Sequence, residues 1–152
     1  MSDKKWFPLE SNPEVMNTYA ATLGLKEPKV AFGDVFGLDD DLLMMVPQPV
    51  LAVLLVFPIS ENNEKDSAKA IEATKEDKNA DKPYYMKQTI GNACGTIGIL
   101  HALLNNADKL GTVEEGSFLE SFHAATKSMT PAQRAEYLQN DDKLEKAQAV
   151  AA

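Results

Sequence analysis

Eight apolar residues stand in a row, Val50-Leu51-Ala52-Val53-Leu54-Leu55-Val56-Phe57, with Pro49 before them and Pro58 after. Crossing a bilayer takes about 20 apolar residues, so the run is far too short to be a membrane span. Continuous rather than alternating, and rich in β-branched side chains, it predicts a strand buried on both faces. Such a strand needs a neighbour on each side. Any fold built from this chain has to answer that demand, or leave an open edge that invites aggregation or pairing with a partner.

Around this run the local signals predict helices. Asn12 is a good N-cap, Pro13 suits the first helical position, and Glu14 complements the positive end of the dipole. Val15, Tyr19 and Leu23 follow at helical spacing and Gly24 supplies the stop. Residues 39–45 read as a short second helix closed by Pro47 and Pro49. Ser117-Phe118-Leu119-Glu120 has the form of a capping box, with Phe118, Phe122 and Ala125 on one face. Thr130-Pro131 opens a further helix through Leu138, ending near Asn140. Residues 60–83 are rich in Lys, Glu, Asp, Asn and Ala and read as a solvated, flexible charged loop, with a frayed helical turn around 68–74. The tail from Asp141 is charged, then alanine-rich.

Composition excludes several classes of function. The 152 residues suit one domain with a real core rather than two. A net charge of −8 leaves no basic face to displace counterions from phosphates, so no nucleic-acid partner is expected. The acidic surface fits solubility or a basic partner segment equally. With one cysteine there is no intrachain disulfide, and with two histidines there is little material for a metal site, so neither metal nor cofactor is expected. No secretory signal is visible at the start, and no membrane association is expected; cytoplasm, with the nucleus as a second compartment, is the expected location.

Chemistry concentrates in Gln88-Thr89-Ile90-Gly91-Asn92-Ala93-Cys94-Gly95-Thr96-Ile97-Gly98-Ile99-Leu100-His101. Asn92 is placed to cap a helix with Ile97, Leu100 and Leu104 facing the core. Cys94 then lies in the first turn, where free amides and the dipole favour thiolate over thiol. Gly91, Gly95 and Gly98 leave room beside it, which suits close approach of a substrate backbone. Taken alone, a helical cysteine is more often buried and inert. His101 is no direct base for it: seven residues further along one helix is roughly 10 Å of rise, and a base needs contact near 3 Å. A core or helix-surface role suits His101 better, and a surface role suits His123.

Three blocks extend the pattern. Trp6-Phe7-Pro8-Leu9-Glu10-Ser11-Asn12-Pro13-Glu14-Val15 and Val46-Pro47-Gln48-Pro49-Val50 precede Met86-Lys87-Gln88-Thr89-Ile90 and the Cys94 block. Together they resemble the ubiquitin carboxyl-terminal hydrolase (UCH) family of deubiquitinating cysteine proteases, in its short members, over residues 6 to about 140. The resemblance implies thiol-dependent hydrolysis at the C-terminal glycine of ubiquitin, or of a related modifier such as NEDD8. Cys94 maps to the nucleophile and Gln88 to the oxyanion-hole donor, a neutral amide that stabilises charge without a proton change. Leu9, Glu10 and Asp34 map by position to contacts with ubiquitin's arginine-containing tail.

The implied fold is a papain-like α/β (α+β) domain of the UCH type, a mostly antiparallel sheet flanked by helices and threaded as a knot. Residues 30–36 and 50–57 are expected as strands of that sheet, here incomplete. The family's general-base histidine and orienting aspartate follow a flexible active-site crossover loop. Residues 1–152 reach about where that loop runs, as a single domain truncated near it. His101 and His123 precede the loop and do not match the motif. A catalytically incomplete ubiquitin-binding module, or a generic acidic interaction domain, are the competing readings.

Overall fold

Helix α1 (Pro13–Thr22) starts where its cap signals put it. The Asn12 side chain accepts the Glu14 N–H at 2.9 Å, and Gly24, with φ of 111°, turns the chain out of the helix. The computed structural model describes residues 4–74 and 82–151. They divide into two compact units, Met1–Val53 with Tyr84–Ala152, and Leu54–Pro83.

In the first unit, β1 (Leu25–Pro28) follows α1 and pairs antiparallel with β2 (Gly111–Val113), Leu25 opposite Val113 and Lys26 opposite Thr112. Between them in sequence lie α2 (Asp40–Leu43), capped by Asp39, and α4 (Cys94–Leu104). Then come α5 (Phe118–Thr126), α6 (Pro131–Gln139) and α7 (Asp142–Ala151). Helix α4 runs through the core, burying Ile97, Leu100 and Leu104 as the spacing predicts, and Ile99 and Leu103 as well. Each such side chain contributes about 1.5–3 kcal/mol on burial. This anchoring fixes the helix that carries Cys94. Tyr19 and Leu23 of α1, Leu119 and Phe122 of α5, Leu138 of α6, and Trp6 and Met86 complete the core.

Ser117 caps α5 through the Glu120 N–H, but Glu120 reaches back to the Gly116 N–H rather than to the cap residue. Thr130 and Gln133 of α6 form the full reciprocal box. The charged, alanine-rich tail forms α7, which packs on α1 and carries the fully buried Leu144. Lys4 ties the N-terminal segment to it, 2.8 Å from Glu145.

Both expected strands change. Residues 30–36 are irregular rather than a strand; Asn17 of α1 binds both backbone groups of Phe32, donating to its carbonyl at 3.0 Å and accepting its N–H at 2.8 Å. Residues 50–57 are neither a strand nor buried, and Val53, Leu55 and Val56 are each more than 70% exposed. Among the described residues β1 and β2 form the one sheet, so the run has no strand to pair with. Propensity without a partner does not make a ladder.

In the second unit, α3 (Glu61–Thr74) replaces most of the expected loop. Ser60 accepts the Asn63 N–H, Glu61 and Glu64 sit in the first turn, and Lys69 pairs with Asp66. Alanine-rich composition and these local pairs suffice for an exposed, polar helix. The remainder of the expected loop, residues 75–81, lies outside the described residues.

Candidate active site

Cys94 is the first residue of α4 and its thiol is exposed. The cap is Ala93 rather than Asn92, and it makes no side-chain cap bond. Asn92 has φ of 61°, a left-handed turn that aims its side chain the other way, donating to the Trp6 carbonyl at 3.1 Å. Ala93 thus offers no side-chain acceptor to the amides of the first turn, beside the thiol.

The N-terminal segment lies against this helix start. Trp6 N–H donates to the Gly91 carbonyl at 2.9 Å, and Gly91 N–H to the Lys4 carbonyl at 3.0 Å. A Cβ on Gly95 would meet the Leu9 Cβ at 3.0 Å, tighter than ordinary contact. The space that the sequence suggests for a substrate backbone is therefore taken at Gly95 by the chain's own Leu9. Leu9 is half-buried there, next to the cysteine helix, while Glu10 is exposed. Asp34 is exposed on the irregular stretch two residues beyond Phe32. Gln88 is exposed, and its side-chain amide donates to the Ile90 carbonyl at 3.2 Å. Among the described residues no hydrogen bond or ion pair joins Gln88, Glu10 or Asp34 to Cys94.

Neither histidine reaches Cys94. His101 Nε2 accepts the Met86 N–H at 3.0 Å, and its ring stacks on Tyr85 with centroids 5.1 Å apart. Burial lowers its pKa, and the positive charge of Arg134 acts in the same direction. His123 is half-buried rather than on the open surface. It sits edge-on to Tyr84, and its pKa is lowered by burial, then by Lys127 and Arg134.

Residues 84–88 lie outside helix and strand, with no strand paired to them among the described residues, yet their backbone is bound at each residue from Tyr84 to Lys87. Asn105 accepts the Tyr84 N–H at 2.7 Å and donates to its carbonyl at 2.9 Å. Arg134 donates to the Tyr85 carbonyl at 2.9 Å, and the Lys87 N–H donates to the Pro131 carbonyl at 3.3 Å. Arg134 also binds the Thr126 and Lys127 carbonyls at the end of α5, and lies 4.0 Å from the Tyr84 ring centroid. A surface cavity of about 280 Å³ between α4, β2 and α5, lined in part by Leu110, Leu119 and His123, includes none of Cys94, Gln88 or Leu9. Among the described residues no group of three or more His, Cys, Asp or Glu is placed to hold a metal, and no helix is long and apolar enough to cross a membrane.

A family model described as ubiquitin carboxyl-terminal hydrolase, family 1, matches residues 6–152. This chain belongs to that family. It is 50% identical to ubiquitin carboxyl-terminal hydrolase 3 of Arabidopsis thaliana over 150 residues, covering 99% of this chain and 64% of that protein. It is 42% identical over 154 residues to a probable ubiquitin carboxyl-terminal hydrolase of Dictyostelium discoideum, covering 99% of this chain and 59% of that protein. With the human isozyme L1 it shares 43% identity over 140 residues, 92% of this chain and 62% of that protein. The chain thus spans about three-fifths of the length of these curated relatives.

In this UCH-family chain, sequence reasoning missed His101, Asn105 and Arg134 as ligands of the segment that carries Gln88. Two signals were present. Arg134 is the only arginine in the chain, and His101 and Asn105 are four apart, on one face of α4.

Proposed function

We propose that this chain carries the nucleophile of an enzyme that hydrolyses bonds at the C-terminal glycine of ubiquitin. Cys94 Sγ attacks the carbonyl carbon of that glycine, and the bond to the leaving amine breaks as the amine takes up a proton. Water then splits the thioester, giving back the thiol and a free carboxylate. The amides of the first turn of α4, with the Gln88 side chain turned from Ile90, stabilise the oxyanion. Neither His101 nor His123 is the base, which comes from outside residues 1–152. Leu9, Glu10 and Asp34 receive the basic tail of ubiquitin or of a related modifier, and a papain-like arrangement is the fold that this geometry serves.

The observation that carries this reading is an exposed thiol at the start of α4, whose cap Ala93 makes no side-chain bond, with Leu9 packed at Gly95 beside it. The hydrolase names of the relatives favour hydrolysis over a binding-only role. The test is the intact mass of the chain after incubation with ubiquitin bearing a thiol-reactive C-terminal group. A one-to-one adduct is expected, and it disappears in Cys94→Ala. An unmodified wild-type chain, or an adduct that survives the substitution, overturns the role given to Cys94.

A further inference from the structure

The bonds along residues 84–88 form a ruler. Tyr84 meets Asn105 and Met86 meets His101, so the segment runs antiparallel to α4, towards the end that carries Cys94. Two extended residues advance about 6.6 Å. Four helical residues rise about 6 Å, so the two pitches match. One further step of the same register sets Gln88 about level with Ile97, one turn from Cys94.

We propose that His101 is a positioning residue for the chemistry at Cys94: by accepting the Met86 N–H, with Asn105 on Tyr84 and Arg134 on Tyr85, it holds Gln88 in register with the start of α4. The proposal rests on the roles given to Cys94 and Gln88 above. Of the three side chains, His101 is nearest to Gln88 along the segment and shares its helix with the nucleophile. Helix α4 is anchored in the core by Ile97, Ile99, Leu100, Leu103 and Leu104, so a shift in His101's grip moves Gln88 relative to Cys94 rather than moving both.

The grip depends on the protonation state of the ring. The bond needs an unprotonated Nε2, and an imidazolium would face the Met86 N–H donor to donor. Helix α4 carries no carboxylate to support such a cation. From α6, Arg134 opposes it, Tyr85 of the bound segment lies stacked on the ring, and His123 of α5 faces the adjoining Tyr84. Acid therefore releases Met86.

Two measurements on the whole chain test this. By NMR, the backbone amides of Met86 and Gln88 and the Gln88 side-chain amide should move together as the His101 ring ionises below pH 6.5. In His101→Gln, whose amide oxygen can accept the same N–H, they should stay near their neutral-pH positions throughout the titration. In His101→Ala they should be displaced at every pH. Gln88 signals that ignore the ring's ionisation, or that keep their place in His101→Ala, overturn the proposal. Should the alanine variant not fold, the wild-type titration and His101→Gln still decide it.

The second measurement is turnover of ubiquitin with a fluorogenic amide at its C terminus. His101→Ala should lower kcat on the order of tenfold with little change in KM, the signature of a misplaced catalytic group. His101→Gln should restore most of it. A change in KM alone overturns the positioning role. If the wild-type chain gives no turnover, because the base lies outside it, the Cys94 adduct decides the hydrolase reading and the NMR titration decides the register by itself.

Discussion

Residues 50–57 and 84–88 both lie outside helix and strand, and they are held in opposite ways. The first has strong β-propensity, with three valines and three leucines in eight residues, yet it forms no ladder and most of its side chains face solvent. The second contains Tyr84, Tyr85, Met86, Lys87 and Gln88, a weaker strand sequence. Its backbone is nevertheless gripped by Asn105, His101, Arg134 and the Pro131 carbonyl, and Met86 is fully buried. An extended backbone is stabilised by whatever meets its N–H and C=O groups. Side chains of packed helices do this as well as a neighbouring strand, and propensity does not substitute for either.

Breaking the grip should cost most at Arg134, which serves both the segment and the end of α5. Arg134→Ala removes a donor from the Thr126 carbonyl, which keeps the Met129 N–H, and from those of Tyr85 and Lys127, and should lower stability by about 3 kcal/mol in urea denaturation. Arg134→Lys should recover only part of this, because an ammonium cannot span the three acceptors. A matched pair of truncations sharpens the contrast. Met86→Ala opens a cavity and should cost about 2–3 kcal/mol, whereas Val56→Ala should change stability by less than about 0.5 kcal/mol. Equal losses at the two positions would mean that 50–57 is packed after all.

The smallest effect should be the pH dependence. The pKa of His101 is lowered on folding from the ordinary value of 6.5. The unfolded chain therefore binds the proton first as pH falls. The stability from the neutral, Met86-bound ring is present above pH 6.5 and is lost on acidification through the folded pKa. His123 shifts in the same direction. Urea midpoints at pH 7.5 and 5.5 should fall for the wild type and fall less for His101→Gln. A steeper fall in the variant would reverse the sign and remove the neutral-ring account.

Helices α1, α5 and α6 were legible in the sequence because their signals are local. Asn12, Ser117 and Thr130 satisfy amides two or three residues away, and such bonds form whatever the rest of the chain does. The same holds for Cys94 in a first turn and for the buried stripe of Ile97, Leu100 and Leu104. Even the family was legible, because its motifs are short contiguous blocks. Helix α3 ran past its expected bounds for a local reason too, since alanine and paired charges were read as a loop.

Tertiary structure decided the rest. Leu25 pairs with Val113, Leu9 fills the space at Gly95, and Asn92 turns from its own helix to Trp6. Met86 finds its acceptor fifteen residues on, at His101, and Tyr85 finds a donor forty-nine residues on, at Arg134. None of these partners can be read from spacing, because each depends on where independently formed helices come to pack. For the same reason the apolar run 50–57 declared its need for neighbours in sequence, while only the packed chain determined that, among the described residues, it has no strand beside it.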